Sequence, residues 1–323
     1  MPKIISATVA VALAISAPAV AQEWPTRSLT IVVPYGPGSG SDVLARIIAP
    51  RMSELLGQSI IIENVAGAGG VTGSARVAKA PPDGYQSVLG TAGTHAQIKF
   101  INKNPPYQPS DFVPVALIAD QPFALITRKD LPVDNLQQFV SLAKSKPGAL
   151  KYGSPGKGSA GHLACALLNH AVGADTIHVP YRGAAQAMTD LLSGVLDYQC
   201  AVVAVVLSQS DAHTIKPLAL LAPERSPFLP KMPSSAEQGL PDFDASTWNA
   251  LFLPQSTPLP IVRKLNQATV GAMRTPAVLE RLRSIGAEPP SEKQSTIEYM
   301  QELIANDIRR WAAPLAAANV SMD

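Results

Sequence analysis

The sequence predicts an α/β protein of two domains whose sheets are rich in parallel strands. Three observations predict it. Short apolar runs alternate with stretches that carry apolar residues at helix spacing, the pattern of parallel strands joined by crossover helices. The alternation runs from residue 28, pauses, and begins again near residue 136. The chain has 323 residues, beyond the ~250 at which a single core usually stops growing.

The elements follow in order. Residues 28–35 (SLTIVVPY) read as a strand. Residues 42–56 read as a helix, with Val43, Leu44, Ile47, Ile48 and Leu55 at helix spacing and Gly57 as its stop. A second strand falls at 59–63, a short helix at 74–79 and a strand core at 87–90. Two extended apolar stretches, 112–128 and 244–254, read as crossings between domains. Between them come a helix at 136–145, a strand at 150–153, a helix at 160–172, a strand at 176–181, a helix at 184–193 and a strand at 197–200. The remaining helices are 260–274, 277–285 and 295–311. These crossings assign 23–122 plus 245–323 to one domain and 123–244 to the other. Val33-Pro34-Tyr35-Gly36 and Val179-Pro180-Tyr181-Arg182-Gly183 each close a strand just before a helix, a short echo between the halves.

Composition removes several classes. Hydrophobic residues are 46% and charged residues 15%, too apolar and too weakly charged for a disordered chain. The net charge is +2 without basic clusters, so no nucleic-acid partner is expected. The 30 prolines and 22 glycines are scattered, which excludes collagen and marks many short elements instead. Residues 1–21 have the form of a secretory leader: Lys3, an apolar run over 4–15, and Ala19-Val20-Ala21 as a cleavage pattern. The best later apolar run, 200–207, is stopped by Ser208-Gln209-Ser210-Asp211, short of a membrane span. A soluble exported protein is expected. Its two cysteines, Cys165 and Cys200, can form one disulfide or remain buried thiols. No metal is expected, because there is no CxxC and the five histidines form no close ligand pair.

Three loops of small residues follow strands. Pro34-Tyr35-Gly36-Pro37-Gly38-Ser39-Gly40-Ser41-Asp42 leads into a helix, where free N–H groups and the helix dipole suit an anion, and where Asp42 can also cap its own helix. The segment 152–162 (YGSPGKGSAGH) repeats this layout with two hydroxyls and Lys157. The segment 90–95 (GTAGTH) has the same character. A dinucleotide fingerprint fails because Ser41 stands at the third glycine position, and no cofactor is expected. A serine-hydrolase elbow fails around both Ser154 and Ser159, where Tyr152 and Lys157 replace the first glycine. Loops of this kind, lacking a convincing general base or nucleophile, fit binding a small anion better than transforming it, and no catalytic residue is assigned.

The same residues carry a family resemblance. Trp24-Pro25, Ile31-Val32-Val33-Pro34-Tyr35 with the loop through Asp42, and Glu63-Asn64 before Gly67-Ala68-Gly69-Gly70 open the pattern. Pro82-Asp83-Gly84-Tyr85, Lys146-Pro147-Gly148, Tyr152-Gly153-Ser154, Val179 to Gly183 and Thr189-Asp190-Leu191-Leu192 continue it, and Gly239-Leu240-Pro241 and Leu265-Asn266 follow. In this order and spacing the chain resembles the substrate-binding proteins of tripartite tricarboxylate transporters, the Bug family. The resemblance implies a periplasmic binding protein fold of two α/β lobes joined by two crossing strands. It implies a non-enzymatic monomer that holds an organic carboxylate in the interlobe cleft and docks on two membrane transporter subunits. It places Tyr35, Pro37, Gly38, Ser39, Gly40, Ser41 and Asp42 against the ligand's carboxylate, together with Ser154, Gly158 and Ser159. It lines the same cleft with Thr91, Thr94 and His95, and adds Arg182 and Trp248 as further candidates. It also implies that Cys165 and Cys200 join a helix to its neighbouring strand.

Two departures matter. Ser39 stands where relatives usually have Gly, and adds a hydroxyl. Ala201 and Val202 stand where relatives commonly carry Asp followed by Asn or Gln. An amine opposite Ala201 and Val202 would go unpaired, at a cost of about 1–3 kcal/mol. The expected ligand therefore has one well-held carboxylate and a less polar far end, an aromatic acid for example. The alternatives are a secreted α/β enzyme acting on a small carboxylate or ester, and a sensor subunit for a signalling partner.

Overall fold

The computed structural model describes residues 23–210 and 214–318. The leader at 1–21 lies outside them. Strands β1 (Leu29–Val33), β2 (Ile60–Asn64) and β3 (Gln86–Thr91) form a parallel triplet ordered β2-β1-β3. Helices α1 (Gly40–Leu56) and α2 (Val71–Ala78) connect them. The turns after β3 lead through α3 (Ile98–Ile101) into β4 (Phe112–Arg128), 17 residues long.

Strand β4 belongs to both sheets. Its first part, Phe112 to Pro122, pairs antiparallel with β9 (Ser246–Pro254), and β9 pairs in turn with β3. From Phe123 onward β4 pairs with β7 (Tyr198–Val202) on one side and β8 (Ile215–Leu220) on the other. Beyond β7 lie β5 (Lys151–Ser154) and β6 (Ile177–Pro180), which with β7 form a second parallel triplet. Helices α4 (Leu136–Ser145), α5 (Ala160–Val172), α6 (Ala184–Leu192) and α7 (Val203–Ser210) flank this sheet. Helices α8 (Leu259–Met273), α9 (Pro276–Ser284) and α10 (Ile297–Ala317) return to the first.

The inner strands of each sheet are buried on both faces, while the edge strands β2 and β6 are partly exposed. In the first, Ile31 and Val33 pack with Leu44, Ile48 and Met52 of α1 and with α8, while Val32 and Val88 face α2 and α10. In the second, Phe123 and Leu125 face α4 and α5, and Ala124 and Ile126 face α6 and α7. The period of two along β4 thus serves two cores at once.

Several boundaries differ from the sequence reading. The apolar run at 200–207 is a strand to Val202 and a helix from Val203. Strand β8 escaped notice because Pro217 interrupts it. Among the named strands it pairs with β4, beside a register shift at Leu125/Ile126, and on its other side it has a single bridge from Leu220 to Ser234; an edge strand tolerates a missing N–H. Helix α10 continues past 311 with Pro314 inside it.

Candidate ligand-binding cleft

Two helix starts build one end of the cleft. Ser39 caps α1, its hydroxyl accepting the Asp42 N–H at 3.3 Å. That leaves the Gly40 and Ser41 amides without an intrahelical acceptor. Ser159 caps α5 in the same manner, accepting the His162 N–H at 3.3 Å, and leaves the Ala160 and Gly161 amides. The positive ends of a 17-residue and a 13-residue helix therefore border one cavity, one from each lobe.

Both loops are braced from behind. Asp42 accepts from Gly38 N at 2.9 Å, Asn64 Nδ2 at 2.9 Å and Arg46 Nε at 3.0 Å. Burial pushes its carboxyl up, but these hydrogen bonds and the Arg46 charge outweigh it and hold the pKa below the usual range. Gly38 sits at φ +76°, where a side chain would be strained. In the second loop Ser154 Oγ shares a hydrogen bond with His178 Nε2 at 2.7 Å, and Gly158 N donates to His162 Nδ1 at 3.1 Å. The two imidazoles stack with centroids 4.0 Å apart. Burial holds His162 down to about 3 and His178 down to about 4, with the Lys157 charge adding in both cases.

The cavity and its open mouth together span about 670 Å³. Tyr35, Ser39, Gly40, Ser41, Thr91, Ser159, Ala201 and Val202 of the sequence-based set all line it. Tyr35 donates or accepts at Thr91 Oγ1 over 3.0 Å, and burial pushes its phenol up to about 12, so it is neutral. Ser41 Oγ donates to Asn249 Oδ1 at 2.6 Å, fastening the first loop to β9. No Asp, Glu, Lys, Arg or His is among the described residues lining the cavity.

Other residues of the set stand elsewhere. Pro37 and Gly38 are exposed on the outer side of the first loop. Asp42, Ser154 and Gly158 brace the loops rather than line the cavity. Thr94 hydrogen-bonds back to Thr91, and the His95 ring stacks on Phe252 at 4.0 Å inside the first core. Burial holds His95 down to about 3. Arg182 is exposed; it is the backbone of its loop that approaches Gly36. Trp248 points to the opposite face of β9 from the cavity, where its Nε1 donates to Asp307 Oδ2 at 2.8 Å. That direction follows from strand alternation, since Thr247 and Asn249 line the cavity.

Sequence reasoning missed Gln121, Phe123, Gln199, Thr247 and Asn249, all of which line the cavity. A signal existed. Gln121 interrupts an apolar strand, and Gln199 lies two residues before Ala201, hence on the same face. Phe123, Ala184, Ala201, Val202 and Val205 supply the apolar wall.

The lobes touch around this cavity through glycines. A methyl group placed on Gly69 would come 2.2 Å from the Lys157 carbonyl oxygen, and one on Gly93 would come 3.1 Å from Ala160 N. Gly183 meets Gly36 similarly, at 3.5 Å from its Cα. Cys165 of α5 and Cys200 of β7 are disulfide-bonded, with Cα atoms 5.5 Å apart. Ser154 and His178 resemble a nucleophile and its base, but no carboxylate among the described residues bonds His178, and Ser154 is 2% exposed. No group of three or more potential metal ligands occurs among the described residues, and no described helix is long and apolar enough to cross a membrane.

Residues 44–320 match the family described as the tripartite tricarboxylate transporter family receptor. The chain belongs to this family. BugT of Bordetella pertussis is 34% identical over 300 residues, covering 92% of this chain and 91% of BugT. MatC from Rhodopseudomonas palustris, solved with bound malate, is 36% identical with a TM-score of 0.88, over 90% of this chain and 100% of that one. A second R. palustris protein, solved with adipate, is 35% identical with a TM-score of 0.87, over 93% of this chain and 99% of that one. The resemblance read from the sequence and its two-lobed α/β fold are borne out, and the proteins of this family are receptors that bind solutes.

Proposed function

We propose that this protein is a periplasmic receptor that captures a small organic carboxylate between its lobes and delivers it to the two membrane subunits of a tripartite tricarboxylate transporter. The lobes are 23–122 plus 245–323 and 123–244, and the protein works as a monomer after its leader is removed. One observation carries the reading. Two capped helix starts, one per lobe, border the same uncharged cavity with four amides that lack intrahelical acceptors. A carboxylate held there bridges the lobes, so binding and closure are the same event. Malate and adipate in the two R. palustris relatives support a carboxylate as the ligand class. Tyr35, Ser39, Gly40, Ser41, Thr91 and Ser159 contact it, and Ala201 and Val202 face its less polar part.

Binding occurs without chemical conversion: the Ser154 hydroxyl is buried beneath its loop, and no carboxylate among the described residues orients the half-buried His178 imidazole. A thermal-shift screen of carboxylates on the mature protein tests this. A ligand at 100 times its Kd stabilises the native state by about 2.7 kcal/mol. Recovery of the acid unchanged after incubation supports a receptor. Turnover in that sample, or no shift with any carboxylate, overturns the reading.

A further inference from the structure

The Gln121 side chain is fully buried, yet neither its oxygen nor its nitrogen meets a protein partner. The Thr247 hydroxyl and Gln199 Nε2 are buried and unpartnered as well. Among the described residues nine buried side-chain polar atoms lack a partner, and these three residues hold four of them. All three line the cleft. Gln121 and Thr247 are directly opposed across β4 and β9, which brings their Cβ atoms to about 5 Å. Buried polar groups are normally hydrogen-bonded, so such a concentration marks a place where a ligand completes the bonds.

The position of this cluster is set by β9. Asn249, which holds Ser41 at the anion end, is two residues from Thr247 on the same face, a step of about 7 Å along the strand. The chemistry of the cluster is neutral. Gln121 offers one donor atom and one acceptor atom, Thr247 a hydroxyl, and Gln199 a donor. A ligand hydroxyl can donate to the Gln121 oxygen while accepting from the nitrogens. A second carboxylate can only accept; it would meet the Gln121 oxygen unfavourably and find no cationic side chain on the described cavity wall.

We propose that Gln121, Thr247 and Gln199 form a second, uncharged subsite that reads a hydroxyl on the ligand about 7 Å from its carboxylate. The ligand class is then a hydroxylated monocarboxylate rather than a dicarboxylate. This rests on the carboxylate reading above.

Isothermal titration of the mature protein with two matched series tests it: hexanoate, 6-hydroxyhexanoate and adipate; and benzoate, 4-hydroxybenzoate and terephthalate. In at least one series the hydroxylated acid binds about tenfold or more tighter than both its companions. In Gln121→Leu and Thr247→Val the ratio of hydroxylated to plain acid falls to near one; both are measured so that a variant failing to fold is replaced by the other. The subsite is overturned if the plain acid or the dicarboxylate binds tightest in both series, or if the ratio survives both substitutions. Binding of none of the six acids overturns the subsite alone where the thermal-shift screen finds another carboxylate that binds, and the subsite together with the carboxylate reading where the screen finds none; binding without preference overturns the subsite alone.

Discussion

Gly158 donates its backbone N–H to His162 Nδ1 at 3.1 Å, so the second Gly-Ser loop is fastened to a ring on the helix it opens. An imidazolium has no lone pair to accept that bond. The loop therefore needs a neutral His162, and burial keeps it so. His162→Leu leaves a buried donor without this acceptor and should destabilise the protein by about 1–3 kcal/mol, with weaker carboxylate binding. Urea denaturation at pH 7 measures the first effect; a midpoint equal to that of the parent removes the fastening role.

Acid should weaken the fold in a defined window. His95 and His162 titrate at about 3 in the native protein, and His178 at about 4. In the unfolded chain all three titrate near 6.5. The unfolded state therefore binds more protons below pH 6.5, and stability declines as pH falls from there toward the native values. Between pH 7 and pH 5, His95 and His162 should each withdraw about 2 kcal/mol, with His178 acting in the same direction. Equal chemical-denaturation midpoints at pH 7 and pH 5 would contradict this.

Gly69 controls how closely the lobes meet. It adopts φ +63° and lies against the Lys157 carbonyl, so Gly69→Ala adds both backbone strain and a methyl in the seam. The closed arrangement should lose population, and apparent affinity should drop in proportion, about tenfold if a tenth remains competent. Small-angle scattering should show that the best-binding acid compacts the parent but not the variant. Full compaction of Gly69→Ala rejects the seam as a closing surface.

The Cys165–Cys200 bond closes a loop over a sequence separation of 35. A loop of that length corresponds to about 3–4 kcal/mol on the chain-entropy account. The Cys165→Ala/Cys200→Ala double variant should lose that much stability in guanidinium unfolding. A loss below 1 kcal/mol would assign the bond to another purpose.

Much of the fold was legible because period and punctuation are local. The strand, Gly-rich turn and helix at 28–56 can be read from Val33, the glycines after it and Gly57, although the helix opens at Gly40 and its cap is Ser39 rather than Asp42, which sits inside the first turn; the equivalent at 150–172 follows suit. The two helix starts that border the cleft were legible for the same reason: free amides belong to one helix start. What escaped depends on partners distant in sequence. Thr247 becomes a site residue only because β9 sets it opposite Gln121. Trp248 is placed on the wrong side when strand alternation around it is ignored. His95 read as a polar loop residue until the fold brought Phe112 and Phe252 around its ring. Strand β8 was masked by Pro217, whose missing N–H matters little at an edge.

Strand β9 sits between β3 and β4, although β3 and β4 are near neighbours in the chain and β9 begins only at Ser246. The first sheet therefore cannot close while a growing chain is still short of its last quarter. Phe112 must wait for Pro254, its partner across more than a hundred residues. Such distant pairing slows assembly, because loop-closure entropy is spent before the contacts form. The sheet that holds β1, β2 and β3 should thus be the later of the two to finish. The second can assemble its own triplet from residues 123–220 beforehand and offer the continuous β4 as a template.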